Sequence, residues 1–311
     1  MTDLTTIGEI LIDLTQVGTD PSGTGLFAAY PGGAPANVAV AAARLGLNCA
    51  FLGKVGADGL GESLLRTLED NGVDRSGVCI GEQATTMAVV TLSPSGERSF
   101  RFLRGADQEL SVSEIDPAQL ANTKILHFGT VSLTAGPSRS ATIYAARQAR
   151  QMGALISFDP NYRAPLWPSQ ESALQWMTIP LPLVDVLKVS DEELPLMTNT
   201  HDLEEGTLQL SRQGIPLILV TLGEKGVYYR WQNRTGLIPG VPVTVADTNG
   251  AGDTFLGAVL SRLAKRTPGP LENLSVGELE EILSFANRAA ALTCSRSGAI
   301  PAMPTLAELE N

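Results

Sequence analysis

Histidine and cysteine are scarce in this chain of 311 residues. The two histidines, His127 and His201, are too few for a multi-histidine metal centre, which excludes most metallohydrolase classes. The three cysteines, Cys49, Cys79 and Cys294, are far apart and odd in number, and they match neither a zinc-site spacing nor a disulfide framework. We therefore expect buried thiols in a reducing, cytoplasmic compartment.

Basic residues and long apolar runs are also in short supply. The chain has 22 Lys and Arg against 33 Asp and Glu, so its formal net charge is -11. Such a field repels nucleic acid and anionic lipid, and neither is expected as a partner. No apolar run is long enough to cross a bilayer, and the first 14 residues carry acids where a signal peptide would carry a basic region. Any anionic ligand must be held by a local site.

The chain alternates short runs rich in β-branched residues with segments of helical periodicity. The runs cover residues 6–14, 50–55, 125–128, 155–159, 184–189 and 217–222. The helical segments cover residues 35–45, 61–71, 138–152, 203–213 and 276–294. This alternation implies right-handed crossovers, and we predict an α/β fold around a mostly parallel sheet.

Two intervals interrupt the alternation and are rich in Gly, Thr, Ser and charge. The second contains two predicted strands joined by a turn at Pro94-Ser95-Gly96. We predict that residues 14–33 and 85–104 form a small β lid. Residues 1–13, 34–84 and 105–311 then form the α/β core. Two ordinary surface loops are the alternative.

A glycine-rich turn precedes a predicted helix at residues 254–263 and follows a predicted strand end at residues 243–247. Its sequence is Gly-Ala-Gly-Asp, at residues 250–253. An anion can approach the free N–H groups there, because glycines leave room and the helix dipole favours negative charge. Asp253 would repel that anion unless it accepts a proton from an attacking hydroxyl, which makes it a candidate general base. The alternative is an acid that merely suits a first helical turn.

Two other nucleotide signatures are excluded. No Walker A run occurs in the chain. A dinucleotide fingerprint needs a third glycine where Phe255 stands.

A polar group near the N-terminus complements the glycine-rich turn. Asp13 ends the opening predicted strand, Gly32 and Gly33 follow, and Asn37 lies in the first turn of an Ala-rich helix. Short side chains with donors and acceptors suit vicinal hydroxyls. Singly, these residues fit strand ends and helix caps. Together with a phosphate-binding turn they favour a sugar site.

These motifs resemble the PfkB carbohydrate kinase family, and the likeness covers nearly the whole chain. Its N-terminal signature is similar to GGAPANVA at residues 32–39, ARLG at 43–46 and GKVGADGLG at 53–61. Its C-terminal signature is similar to DTNGAGDTF at residues 247–255. Within the family, the chain most resembles the bacterial fructokinases, through GEILID at 8–13, RFLRGAD at 101–107, and DPNYR at 159–163 with Trp167. The resemblance implies a ribokinase-like three-layer sandwich with a small β-sheet lid.

The implied reaction is ATP-dependent phosphorylation of D-fructose at its 6-hydroxyl. Asp253 would be the base, the backbone of Gly250, Ala251 and Gly252 the anion hole, and Arg163 the cation for the transferred group. The other residues that the resemblance implies for the sugar are Asp13, Gly32, Gly33, Asn37, Arg104, Asp159 and Asn161. Those that it implies for the nucleotide are Lys188, Thr221, Gly223, Gly226 and Asn287. Either arginine could instead form a surface ion pair.

The resemblance also implies Mg²⁺, since the charge of ATP must be partly neutralised. The family's Asn-x-x-Glu is here Ser190-Asp-Glu-Glu193, so Glu193 keeps the acid of a water-mediated metal shell and Ser190 replaces the amide. A potassium ion is implied beside the anion hole, near Asp247, Asn249 and residues 297–299.

Several alternatives stay open on sequence alone. Related kinases of 2-keto-3-deoxygluconate, ribose or a nucleoside share these motifs, and a non-catalytic sugar-binding regulator could inherit the fold. A lid with one apolar face also predicts a homodimer.

Overall fold

The computed structural model describes residues 2–92, 98–266 and 271–310. Its strands are β1 (Thr2–Ile7), β2 (Leu11–Thr19), β3 (Gly25–Gly32), β4 (Cys49–Gly56), β5 (Val73–Gly81), β6 (Met87–Leu92), β7 (Arg98–Leu103), β8 (Thr123–Phe128), β9 (Leu155–Phe158), β10 (Val186–Ser190), β11 (Leu217–Thr221), β12 (Val227–Trp231) and β13 (Arg234–Ile238). The predicted turn at residues 94–96 lies outside the described residues.

The α-helices alternate with many of these strands. They are α1 (Ala34–Arg44), α2 (Gly59–Asp70), α3 (Pro117–Ala121), α4 (Gly136–Gln151), α5 (Gln170–Thr178), α6 (Glu193–Thr198), α7 (Leu203–Ser211), α8 (Ala251–Lys265), α9 (Val276–Cys294) and α10 (Leu306–Glu310). None of these described helices is both long and apolar enough to span a membrane.

Nine strands form the central sheet, in the order β13-β12-β11-β10-β9-β8-β1-β4-β5. All neighbours pair in parallel except β11 with β12 and β12 with β13. Helices α1, α8 and α9 pack on one face, whereas α4 to α7 pack on the other. Buried side chains alternate between the faces, as β geometry requires. The predicted α/β sandwich with a mostly parallel sheet is confirmed.

A second, smaller sheet has the strand order β3-β2-β6-β7. Strands β2 and β3 form one antiparallel pair and β6 and β7 another, and β2 runs parallel to β6 between them. These strands lie in or beside the two intervals predicted to leave the core. That they act as a lid stays a prediction.

Two predicted strands were wrong. Residues 6–14 are not one strand, because the chain leaves the central sheet after Ile7 and enters the smaller sheet at Leu11. Asp13 therefore lies in β2 and not at the end of the opening strand. Residues 243–247 form no strand either: the N–H groups of Ala246 and Asp247 donate to the carbonyl of Cys294, at 2.8 and 3.2 Å. These N–H groups thus bond to the end of α9 and not to a neighbouring strand.

Candidate active site

Helix α8 begins directly after Gly250, whose φ of 74° lies in the left-handed region that favours glycine. A Cβ at this position would also lie 3.0 Å from the Cβ of Ala299. The backbone of Gly250, Ala251 and Gly252 thus forms the turn into the helix, as the sequence predicts. Asp253 follows in the first turn, with its side chain buried.

Two amides hold the carboxylate of Asp253. Asn37, in α1, donates from Nδ2 to Oδ2 at 2.8 Å. Asn161, in the loop after β9, donates from Nδ2 to Oδ1 at 3.3 Å. Because each oxygen accepts one amide, the carboxylate has a fixed orientation.

Burial raises the pKa of Asp253 to about 6. The nearby carboxylate of Asp159 raises it too, whereas the hydrogen bond from Asn37 and the charges of Lys188 and Arg163 lower it. The group is therefore ionised at neutral pH, yet basic enough to accept a proton.

Close packing of α1 against α8 brings Asn37 to Asp253. A Cβ at Gly257, in α8, would lie 2.8 Å from the Cβ of Ala41 and 3.0 Å from the carbonyl oxygen of Val38, both in α1. Glycine at this point lets the two helices approach closely.

A cavity of about 220 Å³ lies in front of Asp253, between the central and the smaller sheet. Its polar wall includes Glu9, Asp13, Asn37, Asn161, Arg163, Asp247, Asn249 and Asp253. Its apolar wall comes largely from the smaller sheet and includes Leu11, Ala88, Val90, Phe102 and, from the core, Val131. Such a mixture of polar and apolar walls suits a small polyhydroxylated ligand.

Two polar groups of the cavity wall are available to bind a ligand. Within the described part of the chain, Oδ1 of Asn37 is buried without a hydrogen-bond partner. Asp13 is partly buried, and burial raises its pKa to about 6; Asp253 raises it further, whereas Arg163 lowers it. Both groups are acceptors for hydroxyl donors.

The paired glycines before α1 are required by close approach. A Cβ at Gly32 would lie 2.2 Å from Oδ2 of Asp13. Gly33 has a φ of 107°, and a Cβ there would lie 2.5 Å from the carbonyl oxygen of Glu9. The glycines thus leave space for Asp13 and join β3 to α1.

A buried ion pair lies beside the anion turn. Lys188 donates from Nζ to Oδ2 of Asp159 at 2.8 Å. Burial alone would lower the pKa of Lys188, but Asp159, Glu193 and Asp253 together raise it. A Cβ at Gly252 would lie 3.1 Å from this Nζ, so the ammonium group faces the start of α8. Neither Lys188 nor Asp159 is among the residues that line the cavity.

Glu193 links two loops of the site. Its Oε1 accepts the N–H of Tyr162 at 2.6 Å, and its Oε2 accepts the N–H of Ser190 at 2.8 Å. The hydroxyl of Ser190 accepts the N–H of Glu193 in return, at 3.1 Å. Ser190 thus binds the first N–H of α6, and Glu193 positions the loop that carries Arg163.

The predicted nucleotide residues lie away from the cavity. Asn287 donates from Nδ2 to the carbonyls of Ile238 and Pro239, at 3.3 and 2.9 Å. A Cβ at Gly226 would lie 2.1 Å from the same carbonyl oxygen of Ile238. Gly226 and Asn287 therefore meet at the end of β13, where each has a structural role.

The remaining two nucleotide residues lie at the end of β11 and in the turn after it. Thr221 pairs with Ser190 of β10 and donates from Oγ1 to the carbonyl of Val189 at 3.3 Å. Gly223 has a φ of 59°, with open space where a Cβ would stand. Thr221 thus lies next to the Ser190 and Glu193 turn.

Asp247 joins the two loops on either side of the anion turn. Its Oδ1 accepts the N–H of Asn249 at 3.0 Å, and its Oδ2 accepts the N–H of Gly298 at 3.1 Å. Asp247, Asn249 and Gly298 all line the cavity.

The resemblance implies that Arg104 binds the sugar, and this stays a prediction. Arg104 does not line the cavity, and its guanidinium group bonds to Asp107 and to Thr134. Sequence reasoning missed Glu9, which lines the cavity and whose Oε1 accepts the N–H of Ala34 at 3.1 Å. Burial raises the pKa of Glu9 to about 7. Its place in the GEILID motif, four residues before Asp13, was the available signal.

Comparisons with known proteins show which family this chain matches. Residues 1–306 match the pfkB family of carbohydrate kinases. The chain is 42% identical to fructokinase-1 of Oryza sativa subsp. japonica over 308 residues, which are 97% of this chain and 94% of that protein.

Two solved bacterial structures are also similar. One is a fructokinase from Xylella fastidiosa with bound ATP, 34% identical, with a TM-score of 0.92 over 100% of this chain and 98% of that one. The other is a fructokinase double mutant from Vibrio cholerae O395 in a fructose, ADP and potassium ion bound form. It is 35% identical, with a TM-score of 0.87 over 99% of this chain and 96% of that one.

Proposed function

Since this chain belongs to the pfkB family of carbohydrate kinases, we propose that it transfers the γ-phosphoryl group of ATP to D-fructose, giving D-fructose 6-phosphate and ADP. The predicted family and transferase class are confirmed by the family match and by fructokinase relatives that span nearly the whole chain. The fructose-bound relative supports the choice of sugar.

The observation that carries the proposal is the place of Asp253. This carboxylate forms part of the wall of a cavity whose other polar groups can bind hydroxyls. It also lies in the first turn of α8, where phosphate oxygens would meet free N–H groups. One side chain therefore lies where a sugar hydroxyl and a transferred phosphoryl group would meet.

The proposed reaction begins with the 6-hydroxyl of fructose donating a hydrogen bond to Asp253. As the hydroxyl oxygen attacks the γ-phosphorus, its proton passes to the carboxylate, and the bond from phosphorus to the β,γ-bridging oxygen of ATP breaks. Asn37 and Asn161 keep the carboxylate aimed at the hydroxyl. Orientation of this kind supplies much of the rate in phosphoryl transfer.

Charge that develops on the phosphoryl oxygens would be stabilised by groups around the start of α8. The N–H groups of Gly250, Ala251 and Gly252 would supply the anion hole, with the helix dipole behind them. That of Ala251 also donates to the carbonyl of Thr248, at 3.3 Å. Arg163 lines the cavity and would supply an exposed cation, whereas Lys188 would supply a buried one. We infer that Lys188 binds ATP phosphates while Asp159 holds it in place.

Sugar hydroxyls would bind Asp13 and the free oxygen of Asn37, against the backbone at Gly33. The apolar residues Ala88, Val90 and Phe102 of the smaller sheet would cover the sugar as a lid. Exclusion of water in this way favours transfer to the sugar over hydrolysis of ATP.

Magnesium would enter with ATP. Among the described residues, no group of three or more His, Cys, Asp or Glu side chains is arranged to hold a metal ion. Glu193 fits a water-mediated contact, because each of its oxygens already accepts one backbone N–H and keeps a second lone pair. When bound, Mg²⁺ would neutralise part of the triphosphate charge.

A potassium ion fits the loops that Asp247 joins. The carboxylate fixes residues 247–249 against residues 297–298, so that backbone carbonyls beside the anion hole can converge. Assays in potassium and in tetramethylammonium salts test this proposal. Faster turnover in potassium supports it, and equal rates would remove it.

A homodimer would bury the exposed apolar residues of the smaller sheet. Val17, Leu26 and Phe27 are exposed by 58%, 48% and 43%. Leu26 and Phe27 lie in β3, an edge strand of the smaller sheet, and such an edge offers a surface for a second copy. Light scattering on the purified protein gives the oligomeric state, and a monomer at micromolar concentration would contradict the proposal.

The experiment for the function itself is an ADP-release assay with fructose, ribose, 2-keto-3-deoxygluconate and nucleosides. We expect the highest kcat/KM with fructose. A clear preference for another sugar would identify a different kinase of the family, and no turnover with any sugar would favour a non-catalytic regulator.

A further inference from the structure

The chain enters β6 and leaves β7 at the same end of the smaller sheet. There, residues 84–86 lie directly against residues 104–107. The N–H of Ala106 donates to the carbonyl of Ala84 at 2.9 Å, and a Cβ at Gly105 would lie 2.0 Å from the same carbonyl oxygen. The backbones of the two chain segments therefore approach closely here, and the approach requires glycine at position 105.

An ion pair lies within the second of these segments, and the hydroxyl of Thr86 links it to the first. Arg104 donates to Oδ2 of Asp107 from both Nε, at 2.9 Å, and Nη2. The other oxygen of Asp107 accepts the hydroxyl of Thr86, and that hydroxyl accepts the N–H of Gly105 at 2.8 Å. The side chains of Arg104 and Asp107 are 9% and 1% exposed, so the pair is shielded from water.

The same cluster reaches the wall of the sugar cavity. Nη1 of Arg104 donates to the hydroxyl of Thr134 at 2.9 Å, and that hydroxyl donates to the carbonyl of Val131 at 2.7 Å. Val131 lines the cavity, whereas Arg104 does not. Because Nε, Nη1 and Nη2 of Arg104 all bond to protein groups, this geometry favours a role in support of the wall over contact with the sugar.

We propose that Arg104 and Asp107 are positioning residues that hold the base of β6 and β7, so that Ala88, Val90 and Phe102 form the sugar-facing wall of the cavity. This inference rests on the proposed function, since the wall acts on turnover only when the cavity binds the acceptor. This role of Arg104 and Asp107 differs from that proposed for Asp13 and Asn37, which contact the sugar directly.

The sharpest variant is Thr86→Val, which removes the hydroxyl between Asp107 and Gly105 but keeps the shape of the side chain. Thr86 does not line the cavity, so a direct sugar contact by Arg104 would survive this change. We expect the KM for fructose to rise about fivefold, since the bonds lost include one to a charged group, while the KM for ATP stays within about twofold.

Thr142→Val is the matched control. Thr142 is fully buried, and within the described residues its hydroxyl has no hydrogen-bond partner. The control should leave both KM values unchanged. Asp107→Asn should raise the KM for fructose by more than Thr86→Val, because it weakens the bonds from Arg104 as well. An unchanged KM for fructose in both Thr86→Val and Asp107→Asn would overturn the inference.

Hydrogen–deuterium exchange tests the same inference without any assay of turnover. In Thr86→Val and Asp107→Asn, amides of β6 and β7 should exchange faster than in the wild type, whereas those of β8 and β9 in the central sheet should not change. Equal protection of β6 and β7 in variants and wild type would contradict the positioning role. Failure of the wild type to phosphorylate fructose would instead reject the proposed function and leave this exchange result to decide the inference.

Discussion

Asn37 and Asp253 are 216 positions apart in the chain, yet the amide of Asn37 donates to the carboxylate of Asp253 at 2.8 Å. One residue belongs to α1 and the other to α8, and both line the same cavity. The bond joins the N-terminal motif, which we propose binds the sugar, to the C-terminal motif, which we propose binds phosphate. This contact is the most direct structural support for a kinase site.

Loss of the hydrogen bond from Asn37 to Asp253 should slow catalysis more than loss of the one from Asn161 to Asp253. Asn37→Ala should lower kcat/KM for fructose about 10- to 100-fold, because a hydrogen bond to a charged group is lost. Asn161→Gly should have a smaller effect, because its bond is longer, at 3.3 Å, and glycine suits the φ of 44° at that position. Steady-state kinetics of both variants give the order, and a larger loss in Asn161→Gly would contradict this account of the carboxylate.

Activity should depend on the ionisation of Asp253. Its pKa is raised to about 6, and only the ionised form accepts a proton. We therefore expect kcat/KM to be flat near pH 8 and to fall by about tenfold per pH unit below the pKa, since the protonated fraction grows as pH falls. A pH profile from 5 to 8.5 measures this. A constant kcat/KM down to pH 5 would argue against a carboxylate base with this pKa.

The approach of α1 to α8 should tolerate no extra volume. Gly257→Ala places a methyl group 2.8 Å from the Cβ of Ala41, and we expect a loss of about 1–3 kcal/mol in the free energy of unfolding. Gly277→Ala, in α9, meets nothing within 4 Å and should be neutral or slightly stabilising. Chemical denaturation of the two variants measures their free energies of unfolding. Equal values would show that the space between α1 and α8 can accommodate a methyl group.

Lys188 should act on the nucleotide and not on the sugar. Lys188→Met should raise the KM for ATP about tenfold or more and lower kcat, because a buried cation beside the anion turn is lost. Lys54→Met removes another paired lysine, bonded to Glu114 at 2.6 Å, away from the cavity-lining residues, and should leave both KM values unchanged. A rise in the KM for fructose alone would place Lys188 in the sugar site.

Local patterns predicted the elements of the core well. Helix α9 runs from Val276 to Cys294, as its periodicity predicts, and the structure shows that Ser275 caps it. The glycine-rich turn at Gly250 lies at the start of a helix, as predicted. Such features depend on neighbours within a few residues, which the sequence displays directly.

Features that depend on distant neighbours were harder to predict. Residues 6–14 have the composition of one strand, but the chain turns at Gly8, where a Cβ would lie 2.7 Å from Pro35. The motif around Arg104 predicts a sugar ligand, but it does not reveal that Arg104 bonds to Asp107 and Thr134. Pairing and contacts of this kind are decided by the tertiary fold. The cytoplasmic location, the homodimer and the metal ions stay predictions.

The central claim is that Asp253 is the base that deprotonates fructose. The most direct test compares ADP release with fructose in the wild type and in Asp253→Asn, with calorimetry to confirm that the variant still binds ATP. We expect kcat to fall by about 10²- to 10⁴-fold while the affinity for ATP changes little. A variant that binds ATP normally and keeps wild-type turnover of fructose would contradict the account.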